Sequence, residues 1–530
     1  MEDSALEQIE SGWGRLARWC LAAGSAATLA GVALVAVWFG NRQEFGAWWL
    51  AVGLGLVAAA AGWSWAGRRL VAAWRALGLP KWALPAALFA VCFAVKAFFA
   101  LHFETEQQTD FLVMLQAAQD INEGDLSFNQ NAYWHWFAYQ TPFAIYEALM
   151  LRLSGGSLLP LLLVGALAMA GTNLLVYLMA RRVSGSAAAG LFAALAYLAY
   201  PGPYVQANVL SNYHASTFLL LWGAYLILTA LSRGPGWRAW ALAAGGGIVL
   251  QFGNLARPSG IVVCAALVAA SALTPVIRRR RGRSWRPLGR SLALCALALA
   301  LYALVAAGAG AGVQASGINP AGVANNLPEW KFVLGLVPQA QMGSTLTDID
   351  AYGAAPNPQA PAIAEERLER AIRDLPQQWR AVLRQQTANM WALNDSARLA
   401  FWPELASAGL YGVPDRTTAT WAYLMVSGER GLFLPIMALA AAGVMLVNRR
   451  RAWNRWAVFL ACLVVAFVAA HLVIEVMPRY RYLVMPAVFA LAAPAWEWLA
   501  RPGRWGSRSD TATGANTRGS IKKVATNGAQ

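Results

Sequence analysis

Charged side chains are scarce in this sequence of 530 residues. Asp, Glu, Lys and Arg make up 13% of it, against about 25% in soluble domains. Apolar residues make up 58%, and 25 residues are Trp. This composition excludes a water-soluble globular protein. Apolar runs of about 20 residues, long enough to cross a bilayer, recur along the chain and predict an all-α polytopic membrane protein.

Cysteine and histidine are also scarce, with five Cys and four His. All five Cys lie in apolar runs without CxxC spacing, which argues against a disulfide framework and against a zinc site. The sequence "DID" at 348–350 is too short to indicate a metal-dependent nucleotide-sugar site. The four His (His102, His135, His214 and His471) fall near predicted outer ends of spans or in the first outer loop.

The apolar runs predict about twelve transmembrane helices, of which the run at 187–200 is short. Their expected positions are 15–39, 47–66, 82–102, 157–180, 187–200, 207–231, 237–254, 258–276, 289–312, 431–448, 454–474 and 482–499. The first residues lack the basic region and cleavage site of a secretory signal, so we expect the first span to be retained.

The net charge of +16 orients the protein rather than indicating nucleic acid. With a cytoplasmic N-terminus and twelve spans, most of the 42 Lys and Arg residues fall on inner segments, as the positive-inside rule requires. Both termini are then cytoplasmic. Membrane lipids are the partners that this charge pattern suggests, and no nucleic acid is expected.

Two long connections face outwards in this topology. Residues 103–140 contain no Lys or Arg but carry Asp110. Residues 313–430 include an amphipathic helix, which predicts packing against the membrane surface or against the spans, with Pro376 breaking or kinking it. Its apolar stripe comprises Leu368, Ile372, Leu375, Trp379 and Leu383.

The predicted organisation has five parts. These are an N-terminal segment with two additional spans (1–81), a transmembrane core that includes the first outer loop (82–312), the larger extracytoplasmic loop with amphipathic helices (313–430), the C-terminal spans (431–500) and a disordered basic cytoplasmic tail (501–530).

Ionisable residues beside apolar runs are candidates for function. Asp110 suits a general base or a metal ligand, but the pattern is more typical of a helix cap formed by Thr109 or Asp110. Snorkelling would explain Lys96, and an exposed loop would explain Arg257. Neither explanation covers the cluster "EVMPRYRY", where Glu475 can pair with one Arg and leave another free for an anion.

The acidic first outer loop, "NLARPSG" after one span and "EVMPRYRYLVMP" before the last span together resemble the GT-C superfamily of integral-membrane glycosyltransferases. The similarity covers about residues 82–500. The nearest branch is the bacterial one related to protein O-mannosyltransferases and aminoarabinose transferases.

This resemblance implies roles for several residues. Asp110 matches the essential Asp of the first outer loop. Arg257, and Arg479 with Tyr480, match residues that hold the phosphate of a polyprenyl-phosphate sugar, and Lys96 and Arg481 assist. The remaining candidates would contact the donor sugar or the acceptor, and they are His214, Asn212, His135, Glu475 and Trp134.

One segment departs from the family pattern. "YPGPYVQANVLSNYHAS" lacks the carboxylate that many relatives carry after a "YP" turn. An acid-dependent metal site is therefore in doubt. The sequence names no certain cofactor and leaves a divalent cation open.

The function expected from these features is transfer of a sugar from a polyprenyl phosphate to an acceptor hydroxyl outside the cytoplasm, with inversion, in cell-envelope synthesis. The acceptor could be a glycan, a lipid or a protein. The alternatives are a transporter or flippase of lipid-linked sugars, and a glycan polymerase or ligase.

Overall fold

The computed structural model describes most of the chain. The described residues are 12–39, 66–102, 107, 109–278, 285–338, 355–392 and 416–500, together with residues 55 and 62. The predicted span at 47–66 and the predicted disordered tail at 501–530 lie largely or entirely outside them.

The described residues form α-helices and short 3-10 or π turns, without a β-strand, which confirms the all-α prediction. The helices are α1 (Gly12–Phe39), α2 (Ala83–His102), α3 (Thr109–Glu123), α4 (Ala132–Trp136), α5 (Thr141–Leu153), α6 (Leu159–Ser184), α7 (Ala187–Ala199), α8 (Asn212–Ser232), α9 (Trp237–Ala256), α10 (Gly260–Ile277), α11 (Arg286–Ala315), α12 (Pro328–Leu336), α13 (Ala360–Thr387), α14 (Arg416–Arg449), α15 (Arg455–Ala470) and α16 (Met485–Leu499).

Eight of these helices are long and apolar enough to cross a membrane: α1, α2, α6, α8, α9, α10, α11 and the part of α14 from Gly428 to Arg449. Helices α7 and α15 are apolar but shorter. The chain is thus a multi-pass membrane protein. The number of about twelve spans stays a prediction.

Helices α8 and α9 form a close antiparallel pair. A Cβ atom added at Gly223 would come within 2.7 Å of the Gly246 carbonyl oxygen, so two glycines allow the backbones to touch. Because a short turn joins the two helices at one end, the start of α8 and the end of α9 lie side by side at the other. This pairing brings Tyr213 next to Arg257.

The start of α8 is fixed by a side-chain cap. The hydroxyl of Ser211 accepts a hydrogen bond from the backbone N–H of Tyr213 at 3.3 Å, which satisfies a donor that the first turn leaves free. The cap fixes where Tyr213 leaves the backbone. The sequence "SNY" therefore sets the position of this ring.

The two predicted outer connections pack against each other. The Asn319 side chain donates hydrogen bonds to the Trp134 carbonyl at 3.0 Å and to the Thr141 hydroxyl at 2.8 Å. The Asn326 side chain donates to the His135 carbonyl at 2.8 Å. Residues from both connections therefore cover the same end of the helix bundle.

The amphipathic stripe of α13 divides between two environments. Leu368 and Leu375 pack towards α12, whereas the side chains of Ile372, Trp379 and Leu383 are 55%, 49% and 40% exposed. One part of the stripe therefore packs within the second predicted outer connection, and the other part is exposed.

Of the break or kink expected at Pro376, the break was wrong, because the helix continues through this residue to Thr387. Proline removes one N–H donor, and packing on both sides of it keeps the remaining turns helical.

Candidate active-site cavity

A cavity of about 630 Å³ opens where several helix ends meet. Its walls come from the start of α3, the segment after α4, the start of α8, the connection between α9 and α10, α12, the end of α15 and the 3-10 turn Pro478–Leu483. The cavity therefore lies at one end of the bundle. Five of the predicted site residues line it: Asp110, Arg257, Glu475, Arg479 and Tyr480.

Asp110 lies in the first turn of α3, and 36% of its side chain is exposed. Its Oδ2 atom is 3.9 Å from Nη2 of Arg479, and its Oδ1 accepts a hydrogen bond from the Tyr133 hydroxyl at 3.4 Å. A carboxylate at a helix N-terminus is stabilised by the helix dipole. The group is thus held by two partners while remaining reachable from the cavity.

The residue before Asp110 has an unusual backbone. Thr109 has a φ of 54°, which is rare for a β-branched side chain and costs roughly 1–3 kcal/mol. Thr109 also lines the cavity. The strain therefore sits where the chain turns Asp110 towards the cavity.

Tyr213 connects the two arginines of the cavity. Its hydroxyl accepts a hydrogen bond from Nε of Arg479 at 3.2 Å, and the Arg257 guanidinium lies 3.9 Å from the centre of its ring. The ring is only 3% exposed. A cation over a tyrosine face in a desolvated site gains about 2 kcal/mol. One buried tyrosine thus positions both cations.

Arg257 is held by aromatic rings rather than by a carboxylate. Its guanidinium also lies 4.8 Å from the centre of the Tyr480 ring. It makes no side-chain hydrogen bond or ion pair with any residue that the structure describes. Five N–H groups of a fixed cation are therefore available to an anion in the cavity.

A second pair of charges lies in the same cavity. Nζ of Lys331 is 2.6 Å from Oε2 of Glu475, and the Glu475 N–H donates to the Lys331 carbonyl at 2.8 Å. Burial raises the pKa of Glu475, but the charge and hydrogen bond of Lys331 outweigh it and lower the pKa below its usual value. Burial lowers the pKa of Lys331, and Tyr139 and Glu475 outweigh it and raise the pKa.

His471 follows the last residue of α15 and borders the cavity. Its Nδ1 lies 2.8 Å from the Phe467 carbonyl oxygen. Burial, together with the charge of Arg257, lowers the pKa of His471 to about 4, although the hydrogen bond to Phe467 opposes the shift. The imidazole is therefore neutral at pH 7.

Two further predicted residues are buried away from the cavity. Lys96 is fully buried, and its Nζ lies 3.3 Å from the centre of the Tyr204 ring, without a hydrogen-bond acceptor among the described residues. His214 is 2% exposed, and its ring nitrogens lie 2.6 Å from the Tyr482 hydroxyl and from the Gln206 carbonyl. Neither side chain lines the cavity of about 630 Å³.

Arg481 faces away from the cavity, although it is only two residues from Arg479. Its guanidinium forms a buried ion pair with Glu429 and donates to the carbonyls of Met390 and Trp391. In a 3-10 turn these two arginines point in different directions, because residues two apart do not share a face. Arg481 anchors the turn that presents Arg479.

The other three candidates also lie outside the cavity lining. Asn212 is 1% exposed and donates to the Gln140 side chain at 3.4 Å. Trp134 is 3% exposed and packs edge-on against Phe128. His135 packs edge-on against Trp136. Trp134 and His135 thus pack within the outer connection, and their expected sugar contacts stay a prediction.

The cavity residues that were not predicted as site residues include Tyr133, Tyr213, Lys331 and His471. Tyr213 stands between Asn212 and His214, which were both predicted. The capping residue Ser211, two positions earlier, is a sequence signal that could have indicated it. The role of Lys331 could not be read, because its partner Glu475 is 144 positions away.

His, Cys, Asp and Glu side chains do not gather in groups of three or more among the described residues. Asp110 and Glu475 are the two carboxylates in the cavity lining.

Comparison with known protein families places part of the chain beside a membrane transferase family. Residues 141–305 match the model of the dolichyl-phosphate-mannose-protein mannosyltransferase family. The match supports a membrane glycosyltransferase of the GT-C type. No curated protein matches the chain.

The matched segment runs from α5 into α11 and includes Tyr213 and Arg257. Asp110 precedes it, and Glu475 and Arg479 follow it. The cavity thus combines the part of the chain that carries the family match with residues on both sides of it.

Proposed function

We propose that the protein transfers a sugar from a polyprenyl-phosphate donor to an acceptor hydroxyl at the extracytoplasmic face of the membrane. The observation that carries this proposal is Arg257, a cation in the cavity that has two aromatic neighbours and no carboxylate partner among the described residues. A phosphate group is the ligand that such a guanidinium binds best.

The charges of the cavity favour a phosphate as its ligand. Arg479 is close to Asp110 and Lys331 is paired with Glu475, so two positive charges already face two negative ones. Arg257 has no carboxylate partner among the residues that the structure describes, so its charge is available to an anion. The volume of about 630 Å³ also suits a sugar phosphate, since small-molecule sites usually measure about 300–1,000 Å³.

In the proposed reaction, the acceptor oxygen attacks the anomeric carbon of the donor. Asp110 takes the proton of the acceptor hydroxyl, and the bond between the anomeric carbon and the phosphate oxygen breaks. The electron pair of that bond leaves with the polyprenyl phosphate. Arg257 and Arg479 stabilise the charge that develops on this leaving group.

Direct displacement inverts the configuration of the anomeric carbon. A retaining double displacement would require a carboxylate nucleophile at the sugar, and the second carboxylate of the cavity, Glu475, is bound to Lys331. We therefore propose a single displacement with an inverted product.

The sidedness rests on the distribution of basic residues. The helix ends opposite the cavity carry Arg181, Arg182, Arg278, Arg290 and Arg455, and a cytoplasmic location for them follows from the positive-inside rule. The cavity then opens at the outer face, where the lipid-linked donor would enter from the bilayer.

The decisive test uses purified protein with a panel of radiolabelled polyprenyl-phosphate sugars and a membrane extract as acceptor. We expect one sugar to be transferred and an equal amount of polyprenyl phosphate to be released. Movement of an intact lipid-linked sugar across reconstituted vesicles, without transfer, would replace the proposed enzyme with a transporter.

A further inference from the structure

The imidazole of His471 has one nitrogen committed and one nitrogen available. Because a carbonyl oxygen can only accept a hydrogen bond, Nδ1 must carry the proton that it shares with the Phe467 carbonyl at 2.8 Å. The neutral ring therefore presents Nε2 as an acceptor. Nε2 makes no hydrogen bond with the described part of the chain.

The surroundings of His471 fix the direction of the ring. It packs against Phe467 with 4.1 Å between ring centres, and edge-on against Tyr480 at 6.1 Å. Tyr480 is the same ring that contacts Arg257. His471 and Arg257 thus share one aromatic neighbour.

An acceptor nitrogen and a cation recognise different parts of a ligand. A phosphate oxygen that carries no proton cannot donate a hydrogen bond to Nε2, whereas a hydroxyl group can. In a sugar phosphate the hydroxyl-bearing ring is bonded directly to the phosphate. A donor whose phosphate lies at Arg257 would therefore place its sugar within reach of the neighbouring histidine.

We propose that Nε2 of His471 accepts a hydrogen bond from one hydroxyl group of the donor sugar and so helps to select the sugar. The proposal rests on the proposed function, because it assumes a sugar phosphate in the cavity. His471 is a specificity residue in this account. Asp110 remains the proton acceptor of the reaction.

The charges around His471 are consistent with this role. Arg257, Lys331 and Glu475 line the same cavity, and Glu475 is already bound to Lys331. The positive charge of Arg257 disfavours protonation of the imidazole, which would turn Nε2 from an acceptor into a donor. Nε2 therefore remains a hydrogen-bond acceptor at neutral pH.

The alternative role of His471 is structural, since its Nδ1–H satisfies a carbonyl at the end of α15. Two variants separate the roles. His471→Asn keeps an N–H group near the position of Nδ1 and loses the acceptor, whereas His471→Gln places an amide near the position of Nε2 and loses the cap. His471→Phe removes both.

The experiment measures binding of the transferred donor and of analogues that each lack one sugar hydroxyl. For wild type, we expect one analogue to bind about ten-fold more weakly than the parent. His471→Phe and His471→Asn should bind that analogue and the parent equally, while His471→Gln should retain part of the discrimination.

Two results would overturn the inference. Full discrimination of every hydroxyl by His471→Phe would remove the proposed hydrogen bond. If His471→Asn discriminated between the parent donor and the analogue as wild type does, and His471→Gln did not, the Nδ1–H cap would be the only role of His471. If wild type bound none of the polyprenyl-phosphate sugars, both the proposed function and this inference would fail. If wild type transferred a sugar but bound every hydroxyl-lacking analogue as tightly as the parent, only this inference would be overturned.

Discussion

The guanidinium of Arg257 lies over the ring of Tyr213, 3.9 Å from its centre. The same tyrosine accepts a hydrogen bond from Arg479, which reaches the cavity from a turn 266 positions away. Two arginines from distant parts of the chain thus depend on a single buried ring.

Tyr213→Phe should reduce the rate of transfer about five-fold, the effect of one lost hydrogen bond, because Arg479 loses an acceptor while the ring beneath Arg257 stays. Tyr213→Leu should cost more, since it also removes the aromatic face. Transfer rates at saturating donor measure both. Tyr225→Phe, in the same helix and packed on Trp456, is the control and should behave as wild type.

Arg257→Gln should weaken donor binding by about ten- to a hundred-fold, the range for hydrogen bonds to charged groups. Equilibrium binding of a polyprenyl-phosphate sugar measures this effect. Arg238→Gln is the matched control, because Arg238 lies at the opposite end of α9 and is exposed. Equal loss in the two variants would indicate an effect on the helix rather than on the donor site.

The Lys331–Glu475 pair should stabilise the fold in a defined pH window. The pKa of Glu475 is lowered in the folded state, so its contribution is present above its ordinary value of 4.5 and is lost as the pH falls further. The pKa of Lys331 is raised, so its contribution is present below its ordinary value of 10.5 and is lost as the pH rises beyond.

Thermal unfolding of wild type and Glu475→Gln from pH 3 to pH 8 tests this window. The difference between their midpoints should be largest near neutral pH and should shrink as the pH falls below 4.5. A difference that stays constant across the series would mean that the ion pair does not contribute.

The buried pair of Arg481 and Glu429 should matter for stability. Arg481→Met leaves a carboxylate buried without its cation, which typically costs about 3–5 kcal/mol. The midpoint of thermal unfolding in detergent should fall clearly. Glu366→Gln removes one partner of the exposed pair with Arg370 and should leave the midpoint unchanged, because exposed pairs contribute little. Similar midpoints for both variants would contradict the anchoring role.

Much of this fold could be predicted from the sequence, because bilayer-length apolar runs are local signals. The cations of the cavity were predicted only in part. Arg257 and Arg479 were singled out as charged residues beside apolar runs, but nothing local distinguishes Arg479 from Arg481. That distinction depends on Glu429, whose position relative to the turn is set by helix packing.

The positions of Lys96 and Lys331 also depend on tertiary packing rather than on local sequence. Lys96 was conspicuous as a charge within an apolar helix, and the structure places it against Tyr204 instead of the cavity. Lys331 was inconspicuous in a polar connection, and it lies in the cavity because the connection folds back onto the helix bundle. Local context indicates that a charge is unusual, and tertiary packing decides what the charge contacts.

The most direct test of the account compares Asp110→Asn with wild type in donor binding and in the rate of a single turnover. Glu123→Gln, at the exposed far end of α3, is the control and should match wild type in both. We predict that Asp110→Asn binds the donor like wild type and transfers its sugar about 10²- to 10⁴-fold more slowly, the usual contribution of a general base. Unchanged transfer by Asp110→Asn would contradict the assignment of the proton acceptor and, with it, the proposed mechanism.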